Sequence, residues 1–394
     1  MRPLSGVRVL EIGQVLSAPY SGSIFADLGA EVVKVERPEG GDDARQMGPA
    51  FRGGDSLNFH IFNRGKKSVA INLKSARGRD DLERLIAESD ILVHNLRPGI
   101  AAEIGIDGPS VCGRHPRLLY CEISAFGHAG PMAMLPGYEP MVQAFSGLSS
   151  TNGGPDDPPI RIGASVCDLG TGMWCVIGLL ALLHRRTETG VGGMLNASLL
   201  ETALAWNVQK LDSYRNVGTI PARHASGHPS FVPYEAFETL DGPLLICCGN
   251  DRLFGKLAEV LGQPAWSEDA RYVTNRQRIA NKGQLIPALN ALLRVRPRNE
   301  WVARLREAGV PCAPILGIEE IVREDQVAAL GIFQPVPDDN FELTSMPLTF
   351  DGERLGPVGP APALGAHNAR YHLAELAAEL TTDLATELAT ERKA

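Results

Sequence analysis

The stretch Val7–Val35, VRVLEIGQVLSAPYSGSIFADLGAEVVKV, decides the fold. Val7–Ile12 is a β-rich apolar run that stops at Gly13. Tyr20–Leu28 has helical character, and Glu31–Val35 is a second apolar run, ending in Glu36-Arg37-Pro38. Strand, helix and strand in so short a span form the βαβ unit of a parallel sheet. The pattern continues outward with a strand at Ser68–Leu73, a helix at Ser75–Ser89, and strands at Asp90–His94 and Leu118–Ile123. Polar loops follow the strands at Gln14–Pro19, Arg37, Asn95–Arg97 and Ser124–Gly127. Open α/β sheets bind ligands beyond the carboxyl ends of their strands, so these four loops are expected on one rim. The first loop is not GxGxxG and no GKS/T is present, which argues against NAD(P) in its standard mode and against a P-loop. Arg37 stands where a ribose or its phosphate is met in such sheets.

A second stretch, Gly163–His184 (GASVCDLGTGMWCVIGLLALLH), carries one carboxylate, Asp168, at the mouth of an apolar run. Met173–Leu183 is uncharged, predicts a buried helix, and is too short alone to span a bilayer. Asp168 reads either as a helix N-cap or as a nucleophile that a substrate can approach. Gly170, Gly172 and Gly178 would leave room for that approach, and glycine N–H groups would stabilise an oxyanion. Cys167 reads as a small buried hydrophobe, with a reactive thiol as the alternative.

Around these stretches, Gly137–Thr151 reads as a helix with Tyr138 and Glu139 at its start, where Glu139 favours the helix terminus electrostatically. Asn196–Tyr214 reads as a second long helix. Val217–Pro233 has Gly, Pro, Ser and His without helical period and reads as a linker or site loop. Tyr234–Gly249 reads as a hairpin turning at Asp241-Gly242, with helices at Asn250–Leu261 and Lys282–Glu307 and an extended segment at Gly309–Leu316. The expected division is a large domain, 1–215 completed by 325–394, and a small α+β domain, 225–320. Linkers at 216–224 and 321–324 join them. The tail carries a leucine stripe at Leu373, Leu376, Leu380, Leu384 and Leu388 opposite acidic residues, and no function is assigned to it.

The 394 residues suit two domains. A hydrophobic share of 44%, a charged share of 21% and a net charge of −8 describe a soluble globular chain with no basic excess for nucleic acid. Seven cysteines without a CxxC pair indicate neither a disulfide framework nor a zinc site. The start is expected to carry no secretory signal, the expected compartment is the cytosol, and no membrane partner is expected.

The chain resembles the class III CoA-transferases, the family of formyl-CoA and carnitine CoA-transferases that also includes alpha-methylacyl-CoA racemase. The landmarks are LSGVRVLEIGQVLSAPYSG, LGAEVVKVERPEGGD, NRGKKSVAINLK, DILVHNLRPG, PRLLYCEISAFGHAGP, GYEPMVQAFSGLSSTNG, GASVCDLGTGM, HPSFVPYEAFETLDG and GVPCAPILGIEEI, in that order. The resemblance implies a Rossmann-like large domain, a small domain, and a homodimer of interlocked rings. It implies Asp168 as the nucleophile and a CoA thioester as substrate, with no permanently bound cofactor and no metal. CoA contacts are implied at Val15, Leu16, Ser17, Ala18, Arg37, Lys74, Asn95, Leu96 and Arg97, and in the racemase branch at Arg64 and Lys66.

The expected reaction moves CoA from an acyl-CoA donor to a carboxylic acid acceptor through an aspartyl anhydride and an aspartyl-CoA thioester. Tyr138, Glu139, Gly227 and His228 are supporting candidates, with Ala225–Pro229 as a lid made flexible by Gly227. The racemase branch has Gly-His-Asp where this chain has Gly137-Tyr138-Glu139, and Tyr138 is a poor base for racemisation. His128 in the preceding loop keeps racemisation open, and a CoA-binding protein without catalysis is a third reading. The small-domain segment is HASGHPS where the formyl-CoA enzymes have a glycine run, which argues against oxalate/formyl-CoA exchange. Arg and His residues near the rim favour short dicarboxylates with succinyl-CoA as donor, with carnitine-like or steroid acids left open.

Overall fold

Six strands in the first part of the chain are parallel, and the central ones carry the buried apolar runs of a sheet covered on both faces. They are β1 (Arg8–Ile12), β2 (Glu31–Glu36), β3 (Lys67–Ala70), β4 (Ile91–His94), β5 (Leu119–Ser124) and β6 (Gly193–Ser198). Their order in the sheet is β3-β2-β1-β4-β5-β6, so the direction of winding reverses between β1 and β4. The computed structural model describes residues 2–373. These fall into two compact units, one of 2–148, 161–217 and 330–373, the other of 149–160 and 218–329.

Alternation along β1 explains the two layers of the first unit. Val9 points into a core with Phe25 of helix α1 (Ser17–Asp27), whereas Leu10 points into a core with Leu82 and Leu85 of α2 (Ala76–Ala87). Burying each such side chain contributes roughly 1.5–3 kcal/mol. Further along come α3 (Glu139–Phe145), α4 (Val166–Thr189), α5 (Leu199–Trp206) and α6 (Val208–Val217).

Helix α4 is longer than its apolar run and is not buried all round. Cys175, Val176 and Leu179 join the core, while Met173, Trp174 and Ile177 remain 44–53% exposed. A surface helix buries one stripe and leaves the other to a different environment. Its 24 residues, with a window of mean hydropathy 1.9, would by length and composition cross a membrane. Within this fold it packs against α1, through Gly172, and against Leu195 of β6, through Gly178.

Three other elements differ from the sequence reading. Asn196–Ser198 belongs to strand β6, paired with Glu122–Ser124, and the helix that follows breaks at Asn207. Ser198 ends the strand because its Oγ accepts from the Glu201 N–H and caps α5. The Gly137–Thr151 helix is limited to α3 and a 3₁₀ turn at Ser149–Thr151. Lys282–Glu307 divides at Pro297, which has no N–H to continue a helix.

The returning segment closes the edge of β3: the Asn368 amide accepts from the Ala70 N–H at 2.8 Å and donates to its carbonyl at 3.2 Å. Leu373 is buried against the second layer; Leu376 and the rest of the leucine stripe lie outside the described residues.

The second unit has an antiparallel sheet of β7 (Tyr234–Glu238), β8 (Pro243–Cys247) and β9 (Cys312–Pro314), in the order β9-β8-β7. Helices Asp251–Val260, Lys282–Leu293 and Arg298–Glu307 cover it around Phe254, Leu289 and Trp301. Residues 149–160 and 218–224, expected in the large domain and a linker, belong here. The Ala225 N–H donates to Gly153 O at 3.0 Å, and Arg223 donates to Pro155 O at 3.1 Å.

Candidate active site

The loops after β1, β4 and β5 meet the starts of α1, α3 and α4 around a cleft of about 340 Å³. Of the sequence candidates it brings together Val15, Leu16, Ser17, Asn95, Leu96, Arg97, Tyr138, Glu139 and Asp168. A second cleft of about 280 Å³ shares Gln14 and Leu96 with it and is lined by Arg37 and Lys74. Ala18, expected to contact CoA, is fully buried in the first turn of α1 and lines neither cleft. Arg37 is exposed, ion-paired with Asp43, and donates to Glu39 O.

Arg64 and Lys66 are corrections to the expected ligand set, because both are turned into the interior. Arg64 pairs with buried Asp27 at 2.6 Å. Lys66 Nζ, fully buried, donates to Glu11 at 2.6 Å, Pro19 O at 2.8 Å and Asn63 Oδ1 at 2.9 Å. A charge without water needs such partners, and these consume every donor of Lys66.

Asp168 is not the cap of α4. The helix starts two residues earlier, and its first-turn N–H groups are capped from another helix. Glu139, 4% exposed at the start of α3, accepts from the Cys167 N–H at 3.1 Å and the Asp168 N–H at 3.2 Å. It also accepts from Gln143 Nε2 at 2.8 Å, and Gln143 Oε1 holds the Ile162 N–H at 2.8 Å.

Asp168 is half-buried beside this carboxylate. Burial, then the Glu139 charge and a side-chain hydrogen bond with Glu139, push its carboxyl up to about 7. Two carboxylates in contact titrate as a pair and share a proton near neutrality. Sequence reading noticed both acids but not their coupling.

The glycines of α4 serve packing rather than substrate room. A Cβ on Gly170 would lie 2.8 Å from Thr202 and Trp206, and one on Gly172 would lie 2.8 Å from Ser17 O. Their N–H groups lie inside the helix and are committed to its ladder rather than to an oxyanion. The Cys167 thiol is fully buried and pushed up to about 12, by burial first and then by Glu139 and Asp168, which excludes a ready thiolate. Tyr138 is 67% exposed at the cleft mouth, while His128 is exposed and 3.5 Å from Ser124 Oγ.

Gly227 and His228 lie in the second unit. The turn is tight rather than loose: the Gly227 N–H donates to His224 O at 2.7 Å, and His228 Nδ1 accepts from the Ser230 N–H at 3.0 Å. The His228 ring packs on Phe231 and Tyr234 with centroids 4.9 and 5.2 Å away.

The site places a carboxyl with a raised pKa, in the first turn of a helix, on the rim of a doubly wound sheet. The chain belongs to CoA-transferase family III, whose profile matches residues 4–368, and it is a transferase of that class. An Agrobacterium fabrum protein named succinate–glutarate CoA-transferase is 35% identical over 95% of this chain and 96% of its own. One from Acetobacter aceti, named acetyl-CoA:oxalate CoA-transferase, is 38% identical over 83% of this chain and 84% of its own. A crystal structure of a CAIB/BAIF family protein from Brucella suis superposes with a TM-score of 0.88 at 34% identity, covering 95% of this chain and 99% of that one.

Proposed function

We propose that the protein moves CoA between carboxylic acids through covalent intermediates on Asp168. The observation that carries this reading is the Asp168–Glu139 pair at the start of α4, opening on the cleft. The deprotonated Asp168 carboxylate attacks the acyl-CoA carbonyl; the C–S bond breaks, CoA thiolate leaves, and an aspartyl–acyl anhydride remains. The thiolate attacks the aspartyl carbonyl, the donor acid departs, and an aspartyl-CoA thioester forms. An acceptor carboxylate then attacks that thioester and expels thiolate. Attack of the thiolate on the acceptor's acyl carbon releases the new acyl-CoA and restores Asp168. Protons balance over the cycle.

Glu139 fixes the first turn of α4 and makes Asp168 a stronger base once it is deprotonated. CoA would follow the rim from Arg37 and Lys74 to Val15–Ala18 and Asn95–Arg97. The named activities of the relatives support acyl donors and acceptors that are short acids, glutarate and oxalate among them, and we assign a short (di)carboxylic acid as acceptor. Tyr138 in place of a histidine supports transfer over racemisation. The exposed Met173, Trp174, Ile177 and Trp206 support burial of this face in a homodimer.

The test is trapping during turnover. Hydroxylamine added with an acyl-CoA should convert Asp168 to a hydroxamate found by peptide mass spectrometry, and Asp168→Ala should block both trapping and exchange. Full exchange activity in Asp168→Ala would overturn the reading.

A further inference from the structure

Three consecutive residues in the loop after β1 are gripped by side chains from elsewhere in the sheet. Lys34 Nζ donates to Gly13 O at 2.7 Å. The Asn95 amide accepts from the Gln14 N–H and donates to Gln14 O, both at 2.9 Å. Asp42 Oδ1 accepts from the Val15 N–H at 3.0 Å and from the Ala44 N–H at 2.9 Å. The grips are joined, since Lys34 also contacts Asp42 Oδ2 at 2.8 Å and Glu11 Oε1 at 2.9 Å. Both Lys34 and Asp42 are buried. Burial alone would raise the Asp42 carboxyl, but the Lys34 charge and the N–H donors hold it below its ordinary range, so it stays an anion.

Between these grips Val15 has φ +66°. A β-branched residue there is a steric outlier that persists only when its surroundings over-determine it. Sheet formation does not need this conformation. Its consequence lies just beyond, where Leu16 and Ser17 line the cleft and α1 begins without a side-chain cap. Pro19 has no N–H, so the backbone donors at this start are those of Ser17 and Ala18, and of the two residues Ser17 lines the cleft.

We propose that the buried Lys34–Asp42 pair is a positioning device for the CoA ester: it holds Val15 in the left-handed region and so fixes the uncapped start of α1 at the cleft. Neither residue touches the ligand; both act through Val15. The inference rests on the reading of this cleft as the CoA site.

The test measures CoA binding to the full-length protein by titration calorimetry, with thermal unfolding alongside. Asp42→Ala should weaken binding about tenfold or more, the usual scale for a lost hydrogen bond to a charged group. Asp42→Asn, which keeps an oxygen for the Val15 N–H, should weaken it less. Adding Val15→Gly to Asp42→Ala should recover most of the affinity, because glycine holds φ +66° without a clamp. That recovery should come without a matching gain in unfolding temperature. A merely structural role predicts no such rescue. Wild-type affinity in Asp42→Ala, or no recovery on adding Val15→Gly, would overturn the proposal. If Asp42→Ala does not fold, the same rescue is read in Asp42→Asn. If the wild type binds no CoA, the site reading fails, and a crystal structure of Asp42→Asn or Asp42→Ala decides the clamp: Val15 leaving the left-handed region supports it, and Val15 staying there overturns it.

Discussion

Two groups of buried acids lie near the carboxyl ends of the strands in the larger unit, and they are built on opposite terms. Glu11, Glu36 and Asp42 are each matched by a buried cation: Lys34 and Lys66 on Glu11, Arg45 on Glu36, Lys34 on Asp42. Among the described residues, Asp168 and Glu139 have only each other and backbone or amide N–H groups. The compensated group holds the loop after β1 in place. Asp168, with no such cation among the described residues, keeps its proton up to about pH 7. What separates the two groups is the counter-ion, present for one and absent for the other among the described residues.

The comparison breaks most visibly at Asp168. Asp168→Ala should lower exchange on the order of 10⁴-fold, the scale on which removal of a covalent nucleophile acts, measured as label transfer between acyl-CoA and free acid. Neutralising a member of the compensated group should damage folding instead. Glu11→Gln leaves Lys66 facing only neutral acceptors and is expected to cost about 3–5 kcal/mol in denaturant unfolding. If Glu11→Gln unfolds like the wild type, the matched charges are not structural.

A smaller loss should come from the seam between α1 and α4. In Gly172→Ala the new methyl would lie 2.8 Å from Ser17 O, a backbone atom that cannot turn aside. We expect about 1–3 kcal/mol of destabilisation with a raised KM for acyl-CoA, since Ser17 lines the cleft. Unchanged stability and KM would mean that the seam is loose.

Glu139→Gln sharpens the comparison by removing the like charge while keeping an oxygen for one N–H of α4. Without that charge the Asp168 carboxyl should titrate lower, so the acid limb of kcat/KM against pH, expected near 7 in the wild type, should move down. A limb that stays in place would locate the titrating group elsewhere.

The sheet was legible because VRVLEI, EVVKV and DILVH are apolar runs with turn signals between them, and Asp168 was legible as the lone acid before an apolar helix. What escaped reading has a common cause. Lys34, Arg64 and Lys66 look like surface residues, and charged side chains are seldom fully buried unless paired. Their partners Glu11, Asp27 and Asp42 are 8–55 residues away, beyond any local pattern. Glu139 and Asp168 are separated by a loop and the start of a second helix. Asn196–Ser198 was misread because MLNASLL is apolar enough for either a strand or a helix, and pairing with β5 decides it.

The smallest effect concerns stability. Asp168 has an ordinary value of 3.8 and is raised to about 7 in the folded protein. Between those values the folded state holds a proton that the unfolded chain has released. The unfolded state then binds fewer protons, so stability falls as pH rises through this window. The penalty is absent below about pH 4 and complete above pH 7. Asp168→Asn removes the group, so the variant should match the wild type at pH 4 and exceed it at pH 8. Because Asp168 is half-buried and partly screened, the gain should be on the order of 1 kcal/mol, read as a difference in unfolding free energy between the two pH values. Parallel curves for the two proteins would show that Asp168 is compensated after all, which would erase the distinction between the two groups of acids.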